Sequence, residues 1–460
     1  MQSNKPFYHA LIVDDQKCIR CTHCVKICPT EAIRIVDGQV VILEERCVDC
    51  GECVRVCPQN AIGIDHDDLA LIQNFKYRVV LFPAVFFAQF PEHLSEDHIY
   101  TALMKIGFTH AYEVEQPVVV LKDMIRKKVK ENTSSFPIIS SFCPSIVRLI
   151  QSQYPTLTQY IAPVKVPHDL AAHYVLKQLS EQGIAASEVG LFYVTPCVAK
   201  IIAVKKPVGE DKSIISGVIS PGQLYNRVMS VIDDIEPIDC SEFRKELTKE
   251  GIQWGLTHGE TWWQTKKTMA VDGIHNAINF LERIENEEIS NIKFLELRAC
   301  DRSCAAGVLL SQDRFLTVQR LKSRARRFPS AEKRLQVEGE KPFSKLELKM
   351  VTDEILPRPL NRFGSDLQKA MERMQRARSI MCHLPGIDCG ACGAPTCMAL
   401  AEDMVMGKAR VSDCIFIQQL WQKDKKVSPE KALARMEKKW GEKRFDPDCT
   451  KIGAKNETGH

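Results

Sequence analysis

The chain has 460 residues, 45% of them hydrophobic and 26% charged, with a net charge of +4 and nineteen cysteines. That length predicts roughly two to four domains. The small charge excess gives no case for nucleic-acid binding by itself, and no apolar run reaches the roughly 20 residues that span a bilayer. The most apolar stretch, residues 79–90, carries Pro83 and reads as a short buried strand. The opening MQSNKPFYHA lacks signal-peptide architecture. A reducing, cytoplasmic setting is therefore expected, with thiols that bind metal rather than form disulfides.

Residues 1–68 form the first unit. They read Cys18-x2-Cys21-x2-Cys24-x3-Cys28-Pro29, then Cys47-x2-Cys50-x2-Cys53-x3-Cys57-Pro58. The repeat extends past the cysteines, since Pro29-Thr-Glu-Ala-Ile33 matches Pro58-Gln-Asn-Ala-Ile62, and a short apolar strand is expected after each Cys-Pro. The doubled run resembles the two-cluster bacterial ferredoxins. That resemblance implies one [4Fe–4S] cube on Cys18, Cys21, Cys24 and Cys57. It implies a second on Cys47, Cys50, Cys53 and Cys28, because the cysteine before each proline serves the other cube.

Residues 76–320 read as an α/β domain. Apolar strand candidates at 79–82, 118–121, 138–140, 191–194 and 294–297 alternate with helical patterns at 171–182 and 272–287. Four cysteines fall where strands give way to loops, in Phe142-Cys143-Pro144, Thr195-Pro196-Cys197-Val198-Ala199-Lys200 and Ala299-Cys300-Asp301-Arg302-Ser303-Cys304. Four thiolates from three loops suffice for another cube.

These three segments resemble, in order, the signature loops of the [FeFe]-hydrogenase catalytic domain. Those loops hold the H-cluster, a cube joined through one cysteine to a two-iron unit carrying CO and cyanide. The resemblance implies ligation by Cys143, Cys197, Cys300 and Cys304, with Cys304 as the bridge. Lys200 matches the lysine that meets a cyanide ligand, where a buried anion needs a charge-assisted donor.

The chain also departs from that pattern. Phe142 replaces the cysteine that passes protons to the two-iron unit. Thr195 replaces a methionine and Ala203 a glutamate, while Arg302-Ser303 replaces a glycine pair; Gly307 keeps one later glycine. The ligands of the cube remain and the proton machinery does not, as in sensory branches of the family.

Residues 321–375 read as a charged linker or exposed helix. The basic run 320–327 is expected to be solvated rather than to bind nucleic acid or an acidic partner. Residues 366–381 have helical spacing and lead into a module over 376–420, followed by a basic tail over 421–460. Cys389-Gly390-Ala391-Cys392-Gly393-Ala394-Pro395-Thr396-Cys397, with Cys414 beyond, resembles the small [4Fe–4S] domain of Rnf-type subunits and corrinoid iron–sulfur proteins. That likeness implies a cube on Cys389, Cys392, Cys397 and Cys414, against a competing zinc site. The glycines are expected to let backbone N–H groups approach cluster sulfurs, and Ala399 and Ala401 predict tight helix packing. Cys240, Cys382 and Cys449 are spare. His258 reads as a loop residue, and Trp254, Trp262 and Trp263 as core.

The predicted architecture is an α/β multidomain chain: a ferredoxin-like 2[4Fe–4S] domain, an α/β H-cluster-type domain and a small α-rich [4Fe–4S] domain. It implies four [4Fe–4S] clusters, with a two-iron unit on Cys304. Three functions stand open: a hydrogen or redox sensor of low turnover, a working ferredoxin-linked hydrogenase, or an electron-transfer or scaffold protein with cubes only. The expected partners are a ferredoxin-like or signalling redox protein and H2/H+.

Overall fold

The structure, a computed structural model, describes residues 9–134, 136–262, 267–333, 351–358, 360, 362–364 and 366–441. Trp263 and Cys449 lie outside the described residues. No described helix is long and apolar enough to cross a membrane.

In the N-terminal unit, β1 (Leu11–Val13) pairs antiparallel with β4 (Ile62–Ile64), and β2 (Ile33–Val36) with β3 (Gln39–Ile42). β2 follows Cys28-Pro29 and β4 follows Cys57-Pro58, so each half of the repeat supplies a strand to a different ribbon. The short helices His23–Ile27 and Glu52–Arg55 hold Cys24 and Cys53.

The middle domain holds two parallel sheets. One has the order β6 (His110–Glu113), β5 (Tyr77–Phe82), β8 (Val189–Val194) and β9 (Gly217–Ile219). The other has β10 (Thr268–Asp272), β11 (Phe294–Arg298) and β7 (Ile138–Ile139). All six residues of β8 are buried, as expected where helices cover both faces of a parallel sheet.

Two sequence readings need correction here. Residues 118–121 are not a strand but the first turn of the helix Val118–Glu131. Val118, Leu121, Lys122, Ile125 and Val129 are buried at three- and four-residue spacing, and that packing overrides the strand preference of the valines. Residues 79–90 are not one strand either. β5 stops at Phe82, Pro83 caps the turn, and Ala84–Phe87 is helical. The unbroken hydrophobicity records burial of both elements, with Phe82, Phe86 and Phe90 in one aromatic cluster.

The basic run 320–327 is no solvated linker. It ends the helix Arg314–Ala325, which packs on the middle domain. Arg324 is buried and donates to both carboxylate oxygens of Glu113 at 2.6 Å and to Glu96 at 2.9 Å. Arg320 donates to the carbonyls of Ala88 and Phe90, and Arg327 reaches Glu96.

The C-terminal helices Leu367–Met381, Cys397–Val405, Ile415–Lys423 and Pro429–Trp440 pack beside the N-terminal unit. Ile35 N–H donates to the Gly393 carbonyl at 2.8 Å, and Gly38 N–H to the Lys439 carbonyl at 2.9 Å. Arg34 pairs with Asp403 at 2.6 Å and Arg46 with Glu402 at 2.8 Å.

Arg324→Met is expected to destabilise the chain by about 3–5 kcal/mol, because it leaves the Glu113 carboxylate buried without its cation. A guanidinium-chloride unfolding midpoint checks this. An unchanged midpoint would mean that the helix is peripheral to the middle domain.

Candidate iron–sulfur site

The middle-domain thiols sit at the ends of parallel strands. Cys143 follows β7 and caps the helix Pro144–Gln153. Cys197 follows β8 and caps the helix Val198–Lys205. Cys300 and Cys304 follow β11, in a turn that ends at Gly307. A parallel sheet aims its strand ends one way, so loops from both sheets meet in one place.

The four thiols converge. Burial raises the Cys300 thiol above its ordinary range, and the neighbouring Cys197, Cys143 and Cys304 raise it further. Burial pushes Cys197 up to about 12 against the opposing pull of Lys200. Each thiol is only partly covered by its neighbours. Burial holds Cys143, Cys197 and Cys300 in the protonated form until a metal replaces the proton, so the donor set suits a sulfur-ligated cluster.

Lys200 and Phe142 stand at this site. The Lys200 Nζ lies 3.9 Å from the Cys304 Sγ and 4.1 Å from the Phe142 ring centroid. Burial disfavours the Lys200 ammonium, yet Cys304, Tyr193 and Cys197 outweigh it and hold the lysine above its ordinary range. Thr195 is spent locally, since its Oγ1 donates to the Cys197 carbonyl at 3.1 Å and accepts from the Cys197 N–H. Ala203 borders a cavity of about 340 Å³ beside Ser141, Pro144 and Ala199.

Arg298 is a residue that the sequence reading passed over. It is buried, with its guanidinium 3.9 Å from the Phe142 centroid. It pairs with Glu260 at 2.8 Å and Glu296 at 3.5 Å. Glu260 also accepts from the Ser140 hydroxyl at 2.6 Å, and the Phe142 N–H donates to that same hydroxyl. The available signal was two charges, Glu296 and Arg298, on one face of a strand that otherwise reads as fully buried.

The cysteines of the ferredoxin unit lie close to one another. Burial pushes Cys24 up to about 12, and Cys21, Cys18 and Cys57 add to it. Cys50 is raised by burial and then by Cys28, Cys53 and Cys47. Amides of Ala32 and Ala61 donate to Cys28 and Cys57 sulfurs, both at 3.2 Å. Gly51 has φ +81°, and a Cβ there would lie 2.9 Å from Val308 of the middle domain. Arg55 donates to the Ala306 carbonyl at 2.6 Å, beside Cys304.

In the C-terminal module, Cys392, Cys397 and Cys414 are buried in one apolar cluster with Ala399 and Ala401. Burial pushes Cys392 up to about 11, with Cys389 and Cys414 contributing. Gly393 serves the interface: its φ is +84°, and a Cβ would lie 2.5 Å from the Ile35 carbonyl oxygen. Among the described residues no three His, Cys, Asp or Glu side chains close on a point as single-ion ligands do. A cube spreads its four thiolates over separate irons, so its ligands need not converge that tightly. Cys240 is buried in the core, Cys382 is exposed, and His258 is exposed in a left-handed turn, hydrogen-bonded to Thr261. Trp254 is core.

Three families match. "Iron only hydrogenase large subunit, C-terminal domain" covers residues 77–261, "4Fe-4S dicluster domain" covers 10–58, and an "Fe-S cluster" family covers 384–416. The chain is an [FeFe]-hydrogenase-like iron–sulfur protein with an N-terminal ferredoxin-type domain. It is similar to iron hydrogenase 1 of Clostridium pasteurianum, at 23% identity over 228 residues, which is 47% of this chain and 37% of that relative. An [FeFe]-hydrogenase of Chlamydomonas reinhardtii, in a glutamate-to-alanine variant, is similar in structure, with a TM-score of 0.45 and 14% identity over 64% of this chain and 96% of that one. A structure describing stepwise H-cluster assembly gives a TM-score of 0.41 and 15% identity over 61% and 94%.

Gly307 locks two site loops of this [FeFe]-hydrogenase-like chain together. A Cβ at 307 would lie 2.2 Å from the Pro196 carbonyl oxygen, next to Cys197. Gly307→Ala is expected to cost about 1–3 kcal/mol through overpacking, read as a lower unfolding midpoint. An unchanged midpoint would show that the Cys197 and Cys304 loops are free of one another.

Proposed function

We propose that this chain is a hydrogen- or redox-sensing, low-turnover hydrogenase-like protein that relays electrons through [4Fe–4S] clusters. The observation that carries the reading is Phe142, a buried ring directly before Cys143 with two cations against it. Phenyl has no exchangeable proton.

In this reading Cys18, Cys21, Cys24 and Cys57 hold one cube, and Cys28, Cys47, Cys50 and Cys53 a second. Cys143, Cys197, Cys300 and Cys304 hold a third, and Cys389, Cys392, Cys397 and Cys414 a fourth. A two-iron unit bridged through Cys304 would supply reversible splitting of hydrogen into two protons and two electrons. Lys200 would donate to an anionic ligand there, an assignment its 3.9 Å approach to Cys304 supports. Phe142 excludes water from the same place, and Thr195, committed to the Cys197 carbonyl, passes nothing on. The packing supports a relay. The middle domain touches the ferredoxin unit at Arg55 and Gly51, and the C-terminal module touches it at Ile35 and Arg46. Electrons would leave to a redox partner, either ferredoxin-like or a signalling protein.

Anaerobically reconstituted protein is expected to bind roughly sixteen iron atoms as four cubes, or about eighteen with the two-iron unit. Infrared bands of CO and cyanide should appear in matured wild type and vanish in Cys304→Ala. Saturation near eight iron would leave the ferredoxin unit alone. Bound zinc at Cys389, Cys392, Cys397 and Cys414 would reject the fourth cube. A matured wild type without CO and cyanide bands would make the chain an electron-transfer or scaffold protein.

Turnover is the second measurement. A positioned acid or base contributes about 10²–10⁴-fold to a proton-transfer step. Hydrogen evolution should therefore fall below that of catalytic relatives by about that factor, while CO still binds. Phe142→Cys should raise it only in part, because Thr195 and Ala203 also depart from the active pattern. Wild-type turnover equal to that of ordinary hydrogenases would replace the sensor with a working enzyme.

A further inference from the structure

Two full positive charges are buried against one phenyl ring at the mouth of a thiol-lined site. Lys200 has a sulfur partner, since its Nζ is 3.9 Å from the Cys304 Sγ. Arg298 is only partly answered. Its Nη2 meets Glu260 at 2.8 Å and the Trp254 carbonyl at 3.4 Å, and its Nε faces Glu296 at 3.5 Å. Its Nη1 is buried and has no hydrogen-bond partner among the described residues. A guanidinium presents five donors in a fixed fork, and a buried donor without an acceptor is costly.

The surroundings say what that donor faces. Arg298 ends β11, two residues before Cys300. Its ring contact, Phe142, is the residue before Cys143. The carbonyl it shares, that of Trp254, adjoins Gly255, whose own carbonyl accepts from the Cys304 N–H at 2.9 Å. A Cβ at Gly255 would lie 3.5 Å from the Cys304 Cβ, so that loop runs in contact with Cys304. Three chain segments that touch Arg298 thus each touch a proposed ligand of the middle cube. The thiolates and the anionic cluster they would hold are the negative groups available to its free N–H.

We propose that Arg298 is a second charge-assisted donor to the anionic cluster at Cys143, Cys197, Cys300 and Cys304, with Phe142 as the apolar spacer that holds it beside Lys200. This rests on the reading that those cysteines carry a cube. A fixed cation near a cluster favours its reduced, more negative form, as hydrogen bonds and net charge do in iron–sulfur proteins generally. The same two cations repel a proton that approaches along the ring. The arrangement therefore holds an electron at the middle cluster and keeps protons away. Arg298 acts as a positioning and charge-compensating residue rather than a catalytic one.

The test is a potentiometric titration of the holoprotein followed by electron paramagnetic resonance. The middle cube is assigned by the signal lost in Cys300→Ser, and the ferredoxin-type cubes serve as internal references. Arg298→Gln should disfavour reduction of the middle cube at least tenfold, a fall of about 59 mV for a one-electron couple. Arg298→Lys should keep most of the wild-type midpoint, and the reference midpoints should not move. If Arg298→Gln loses the middle cube and Arg298→Lys keeps it, the proposal stands, since charge is what holds the cluster. A full cube in Arg298→Gln at the wild-type midpoint overturns it. Loss of the cube from both variants overturns it too, because the arginine is then only a packing element. A wild type with no cube at these cysteines is a different failure. It removes the cluster reading itself, and this inference with it.

Discussion

Thiols gathered at one place concentrate negative charge once a metal displaces their protons, and two buried cations of the middle domain stand where they can answer that charge. At the middle domain the answer is Lys200 and Arg298 against the Phe142 ring. A buried cation must itself be held, so Arg298 draws in Glu260 and Glu296. Glu260 in turn takes the Ser140 hydroxyl, which accepts from the Phe142 amide. This closes a ring of contacts through β11, the loop at 254–260 and the loop after β7. Removing Arg298 or Glu260 would strand a charge in a low dielectric, which is costly.

The same logic joins the units. Arg148 pairs with Asp49, which links the helix Pro144–Gln153 to the second cysteine run of the ferredoxin unit. Arg46 and Arg34 of the ferredoxin unit pair with Glu402 and Asp403 of the C-terminal module, and Arg362 shares Glu402. Buried interface ion pairs add little net stability, because desolvation offsets the attraction. They penalise every other alignment, which fixes how the units face one another. For an electron relay that matters more than affinity, since transfer depends on where the clusters sit. Gly51 and Gly393 work to the same end. Each lies at an interface where a Cβ would meet Val308 or the Ile35 carbonyl, so each permits contact that any other residue would prevent.

What was legible in the sequence is what chemistry forces into a spacing. The two ferredoxin runs, the three middle-domain loops and the C-terminal run each bring cysteines near one another, as a spacing suited to sulfur ligation would. The strands before the middle-domain loops were readable as well, being short and apolar. Residues 118–121 were misread because three consecutive valines favour a strand locally, while the helical spacing becomes visible only when carried on to Ile125 and Val129. The run at 320–327 was misread because an arginine paired with distant Glu113 and Glu96 looks, in sequence, like a solvated one. Arg298 was missed for the same reason. Its partners lie on three segments that only the fold brings together.

At Phe142 the ring can neither take up nor pass on a proton, and at Thr195 the hydroxyl is tied to the Cys197 carbonyl and amide. The departures at Phe142, Thr195 and Ala203 remove none of the four proposed ligands and leave the contacts between units intact. Electrons and protons need different things from a protein. An electron crosses packed side chains without any group of matching acidity, whereas a proton needs acceptors within hydrogen-bond reach at every step. A site that keeps its ligands and its packed path to neighbouring thiol sets, yet lines its approach with a phenyl ring and two cations, separates these requirements. That separation is what the sensing, low-turnover role proposed for this chain would require.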